Sequence, residues 1–66
     1  MVKVLYFGDL SDGAMGIINR DIKKIIDRDY PEINFELMDW AITENYVYLF
    51  NAKAWKNWDM IIVHLY

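Results

Sequence analysis

The chain holds no cysteine, one histidine, one proline and three glycines among 66 residues. Without cysteine there is no disulfide framework and no thiolate chemistry, and a cytoplasmic origin is compatible with that lack. One histidine, His64, does not make a structural zinc site without thiolates, so no metal is expected. Basic residues are scarce as well: seven against ten acidic ones, a formal charge of −3. An electrostatic footprint for nucleic acid is therefore missing. No apolar run approaches the roughly 20 residues that span a bilayer, so no transmembrane segment is expected. Met1-Val2-Lys3 opens onto a strand pattern rather than a signal peptide. Internal repeats, low-complexity runs and linkers are absent too.

What the chain has is apolar and aromatic surface. Hydrophobic residues make up 56% and aromatics 17%, which excludes disorder. A chain this short is one small domain at most and buries only about 60% of its unfolded surface. Three Trp, five Tyr and three Phe are many for such a domain, so some apolar area is expected to be covered by a partner.

Val2 to Phe7 reads as a first strand with apolar residues on both faces, the mark of a central strand covered by helices on two sides. It breaks at Gly8-Asp9, passes Leu10-Ser11-Asp12-Gly13 and enters a helical pattern at Ala14. Ser11 or Asp12 is the expected cap. Met15, Ile18, Ile22, Ile25 and Ile26 form the apolar stripe, with Asn19, Arg20, Asp21, Lys23, Lys24, Asp27 and Arg28 on a solvated face. Asp21 with Lys24, and Lys23 with Asp27, lie within helical pairing distance. The helix must stop before Pro31.

Ile33 to Leu37 alternates, with Ile33, Phe35 and Leu37 inward, as in a half-exposed edge strand. Ala41 to Trp58 reads as one or two short helices broken near Asn51, with Thr43 or Asp39 as cap. Met60 to Val63 is a continuous apolar run, the pattern of a fully buried parallel strand, and His64-Leu65-Tyr66 finishes it. The order β-α-β-α-β with right-handed crossovers predicts an α/β, Rossmann-like unit with a three-stranded parallel sheet. Ending on the most buried strand leaves an apolar edge, which natural folds avoid. Either the chain continues past Tyr66 or copies pair edge to edge, and the small-domain limit favours continuation.

The Gly8–Gly16 loop is neither the G-x-G-x-x-G dinucleotide fingerprint nor a P-loop. Gly13 and Gly16 permit positive φ and close backbone approach, and a helix start behind them favours an anion such as a diphosphate. The plain alternative is a tight strand-to-helix turn with Gly16 packed against the sheet. Asp9, at the strand end, is a candidate polar contact to a hydroxyl or a magnesium ion, or else caps the turn or the next helix. His64 follows the third strand, where open α/β sheets place ligand groups, or it is a strand-end histidine bonded to backbone. A receiver-type acidic pocket would want an aspartate where His64 stands. Tyr46, Tyr48, Phe50, Trp55 and Trp58 are aromatic faces for sugar rings or, at helical spacing, core or interface.

Val4-Leu5-Tyr6-Phe7-Gly8-Asp9, the glycine-bearing loop and Gly16-Ile17-Ile18-Asn19-Arg20-Asp21-Ile22 together resemble the N-terminus of GT-B glycosyltransferases. The retaining enzymes that use nucleotide-sugar donors are the nearest pattern. Trp58-Asp59-Met60-Ile61-Ile62-Val63-His64-Leu65-Tyr66 is similar to a later segment of that family: an aspartate, a strand and a histidine. The resemblance covers residues 1–66 and implies the first part of an N-terminal Rossmann-like domain. That domain mainly holds a sugar or lipid acceptor and faces a C-terminal domain, missing here, that grips the nucleotide. It implies that Gly13, Ala14, Met15 and Gly16 lie near the donor phosphates, and that His64 is the catalytic candidate. The loop departs from the family in having separated glycines, and Tyr66 stands where a second histidine is common. The donor is a substrate, so no cofactor is implied. The location implied is cytoplasmic, with peripheral membrane association left open. These 66 residues alone are expected to be inactive.

Two other readings stay open. One is a small flavodoxin-like or receiver-like binding module, not an enzyme, that dimerises through its third strand. The other is a nucleotide- or flavin-binding half-domain.

Overall fold

A computed structural model of the chain describes residues 1–64. The expected continuation of the third strand through Leu65 and Tyr66 lies outside the described residues. The elements are β1 (Val2–Gly8), α1 (Ala14–Asp29), β2 (Ile33–Asp39), α2 (Thr43–Leu49), α3 (Ala52–Trp55) and β3 (Met60–Val63). All pairing is parallel, in the order β2-β1-β3. This is the three-stranded Rossmann-like unit that the alternation of strand and helix patterns predicts.

β1 is central, paired on both edges, and buries apolar residues on both faces. Tyr6 points to the side carrying α1, where its hydroxyl meets Asn19. Phe7 points to the other side, its ring edge-on to Tyr46 of α2 at 5.0 Å. Leu5, Phe7, Val4 and Phe35 are the buried centre. The two crossovers thus lie on opposite faces, as right-handed connections in this strand order require. β2 is an edge strand, with Phe35 buried and Glu36 exposed.

β3 departs from expectation. It is parallel, but it is an edge strand and not fully buried: Met60 is 54% and Val63 47% exposed. A run apolar on both faces marks a strand suited to burial; nothing among the described residues covers this one on its outer side. Its start is fixed by Asp59, whose carboxylate accepts from the Lys3 amide and whose own amide donates to the Lys3 carbonyl, both at 2.8 Å. Lys3 also sets its ammonium over the Trp58 ring at 5.2 Å.

The helices also correct details. α1 is capped at Gly13 with no side-chain acceptor, so neither Ser11 nor Asp12 caps it. Its buried positions are Gly16 and Asn19, while Ile18 and Ile25 are half exposed. The helix is turned so that Asn19, read as solvated, faces the sheet. Lys23 bridges to Asp27 at 3.1 Å and Lys24 to Asp21 at 4.0 Å, as their spacing requires. α2 begins after Ile42, without a cap from Thr43 or Asp39. Asp39 instead accepts from the Ala41 amide. The break falls at Asn51, whose side chain caps α3 through the Lys53 amide. No helix among the described residues is long and apolar enough to cross a membrane.

Candidate functional site

With the strand order β2-β1-β3, the chain leaves β1 toward one side and later returns to the other. The C-terminal ends of β1 and β3 therefore border a topological switch point, the place where open α/β sheets bind ligands. The residues there are the Asp9–Gly13 loop, the start of α1, Tyr6 and His64.

The loop is held at every step. Asp9 accepts from the Ser11 amide at 2.8 Å, and the Ser11 hydroxyl accepts from the Gly13 amide at 3.3 Å. Arg20, nearly two turns inside α1, donates to the carbonyls of Leu10 and Ser11 and lies 3.6 Å from Asp12. The glycines act through space and not through positive φ, which no glycine among the described residues adopts. At Gly16 a Cβ would stand 1.8 Å from the Ser11 carbonyl oxygen, so only glycine lets the loop lie on the first turn of the helix. At Gly13 a Cβ would meet only the Ser11 hydroxyl, at 3.5 Å.

Asp9 is 9% exposed and carries most of the loop's electrostatics. The Ser11 amide, more than any other group, holds its carboxyl below the ordinary aspartate value. The Ser11 hydroxyl, the Arg20 guanidinium and the Trp40 indole act the same way, and desolvation opposes them. A carboxylate so engaged shapes the turn; the Ser11 amide and hydroxyl and the Trp40 indole are its hydrogen-bond partners.

Behind the loop runs a polar row that the sequence pattern does not reveal. Asn19, 1% exposed, donates to the Asp9 carbonyl at 2.7 Å and accepts from the Tyr6 hydroxyl at 3.0 Å. The same hydroxyl lies 2.9 Å from His64 Nδ1. The backbone of His64 donates to the Phe7 carbonyl, which seats the residue beside the end of β1. The structure thus brings Asp9, Gly13, Ala14, Met15, Gly16 and His64 to one end of the sheet. It adds Tyr6, Asn19 and Arg20. Asp59, part of the same family-like segment as His64, sits at the opposite end and fixes strand register.

A concavity of about 560 Å³ lies elsewhere, between the α2–α3 segment and β3. Tyr46, Leu49, Phe50, Trp55, Trp58 and Val63 help line it. Its aromatics are tied to local partners: Trp55 donates to the Leu49 carbonyl and Trp58 to the Tyr48 hydroxyl. Phe50 remains 76% exposed. Among the described residues no group of three or more histidines and carboxylates is placed to hold a metal ion.

Comparison of the chain with family models, curated proteins and solved structures returned no match.

Proposed function

We propose that this unit is the acceptor-side, N-terminal portion of a GT-B glycosyltransferase, in which the 9–16 loop lies against the diphosphate of a nucleotide-sugar donor. The observation that carries the reading is the contact of Gly16 with the Ser11 backbone. It folds the loop onto the helix flank, and the first turn carries no side-chain cap and no acidic residue. Amides without side-chain acceptors, at the positive end of a 16-residue helix beside the switch point, suit an anionic group. His64 at the neighbouring strand end suits a polar contact to sugar. The acceptor, sugar or lipid, would lie across the cleft formed with a second domain, without which the unit is inactive. Reading the coding frame beyond Tyr66 and weighing the native product tests this. A second Rossmann-like domain bearing paired glutamates is expected, and a product without one overturns the reading.

One observation favours a second reading, a flavodoxin-like or receiver-like module that pairs with its own copy through β3. Met60 to Val63 is an uncharged edge with apolar groups on both faces, whereas the β2 edge carries Glu36. Charged groups normally protect such edges. Sedimentation equilibrium decides it: a dimer dispersed by Ile62→Lys supports pairing, and a monomer at high concentration removes it.

A further inference from the structure

The two edges of the sheet are built differently. At β2 the Glu32 carbonyl accepts from the Val2 amide, and the Trp40 amide donates to the Gly8 carbonyl. Even-numbered residues of that strand therefore bond to β1, and odd-numbered ones turn their backbone groups outward. Phe35 is one of these, and the Lys23 ammonium, reaching down from α1, takes its carbonyl at 2.7 Å. Lys23 is held there by Asp27 at 3.1 Å, and Glu36 stands exposed beside Phe35. A lysine on an edge carbonyl and a charge next to it keep a further strand away. That edge is closed.

β3 has no such guard, since Met60 to Val63 carries no charge. His64 donates its amide to the Phe7 carbonyl, beside the pairs Tyr6–Ile62 and Phe7–Val63. This turns the backbone groups of Met60 and Ile62 toward β1 and those of Ile61 and Val63 outward. The Asp59 amide bonds Lys3 ahead of the strand, and the alternation starts at Met60. Side chains divide by the same register: Met60 and Ile62 lie on the Tyr6 side of the sheet. Ile61 and Val63 lie on the Phe7 side, where they line the α2–α3 groove.

We propose that β3 pairs antiparallel with β3 of a second copy, about a two-fold axis that passes through Ile62 perpendicular to the sheet. This geometry rests on the reading that pairs β3 with its own copy. The position of the axis follows from the pleat. A two-fold in this direction keeps the faces of the sheet, and directly opposite residues share a face, so one residue must sit opposite itself. With Ile62 there, Ile61 of each copy opposes Val63 of the other, and each such pair exchanges both N–H···O bonds. With Ile61 there, Val63 would oppose Asp59, whose amide is already given to Lys3. A copy also offers what this edge lacks, an uncharged strand with apolar side chains on both faces. The exposed parts of Phe50, Trp55, Met60, Ile62 and Val63 make roughly 600 Å² per copy, about 1,200 Å² for a pair, the lower end of specific interfaces. The two grooves adjoin across Ile61 and Val63. Assembly stops at two copies, because the edges left over are the β2 edges that Lys23 closes. In dilute protein the pair dissociates and the β3 edge is open.

The chain holds no cysteine, so a single one placed at the seam reports its own neighbour. Ile62→Cys is expected to oxidise to a linked dimer, because an opposed pair without hydrogen bonds sets its Cα atoms about 4.5 Å apart, within disulfide range. Ile61→Cys or Val63→Cys alone should stay unlinked, each lying diagonally from its own copy at about 7–8 Å. Linkage at 61 and not at 62 overturns the axis. In unsubstituted protein, mixed ¹³C-labelled and unlabelled copies should show an intermolecular contact between the two Ile62 Hα atoms; a dimer without it overturns the geometry as well. Sedimentation equilibrium separates the two kinds of failure. A wild-type monomer at high concentration removes the edge-pairing reading and this geometry with it, whereas a dimer unlinked at 62 removes the geometry alone. Lys23→Met is expected to free the β2 edge and yield species larger than a dimer. A variant that stays dimeric, or a wild type that grows beyond two copies, overturns closure by Lys23.

Discussion

Gly13 and Gly16 stand three residues apart, yet substitution at the two positions has unequal consequences. Alanine at 16 must displace the Ser11 backbone, which cannot step aside as a flexible side chain would. A loss of about 2–3 kcal/mol is expected in urea unfolding, the scale of overpacking a rigid site. Alanine at 13 meets nothing closer than a rotatable hydroxyl and should cost under about 1 kcal/mol, mostly as a poorer N-cap. Asp9 adds a pH dependence with a defined sign. Its carboxyl is held below the ordinary value when folded, so its contribution is complete above the unfolded pKa and fades as pH falls through the lower folded value. Asp9→Asn should flatten the stability profile below about pH 4, and an unchanged profile would mean that the Ser11 contact does not persist in solution. Residues of this kind were unevenly legible. Glycine in a strand-to-helix turn announces a close approach, but not which of several glycines makes it. Asn19 gave no signal at all. A polar residue between isoleucines reads as solvated, and its burial follows from Tyr6 and Asp9, partners more than two turns away along the chain.

At the scale of elements, the pattern of apolar residues located the three strands and α1, because each strand is short and bounded by Gly, Pro or Asp, and left α2 and α3 as one or two helices broken near Asn51. For α1 it was right at Met15, Ile22 and Ile26, which are half-buried, and wrong at Ile18 and Ile25, which are exposed while Gly16 and Asn19 are buried. Ile18 and Ile25 fit the apolar stripe as well as Met15 and Ile22 do, and only the glycine contact at 16 and the amide at 19 choose between them. The burial of β3 was misjudged for a related reason: an apolar run states what a strand tolerates on its faces and says nothing of what lies beyond its edge. Phe35→Ala should therefore unfold the chain, since removing a buried phenyl costs about 3–5 kcal/mol and a domain this small has little more to lose. Asn51→Ala removes the cap of α3 and should cost about 1 kcal/mol, read by thermal unfolding. By contrast Met60→Ala, on the open edge, should change stability by less than about 1 kcal/mol. Equal losses at Phe35 and Met60 would mean that β3 is covered in solution.

The whole molecule joins a buried polar end to an open apolar side. At the C-terminal ends of β1 and β3 the loop, the first turn of α1, Tyr6 and His64 converge within a sheet whose order makes that end a switch point. Along β3 and the α2–α3 groove, aromatic and aliphatic groups stand exposed. The proposed enzyme uses both: the polar end for a donor and the apolar side for packing against further structure. The formal charge of −3 works against adventitious anion binding elsewhere, so an anion that binds must be drawn by local geometry. The most direct measurement is a backbone amide NMR titration with inorganic pyrophosphate at constant ionic strength. The account expects saturable shifts at Gly13, Ala14, Met15 and Gly16, with dissociation in the millimolar range for a unit lacking its second domain. Shifts confined to the Lys23, Lys24 and Arg28 surface, or none at saturating salt-matched pyrophosphate, would contradict it.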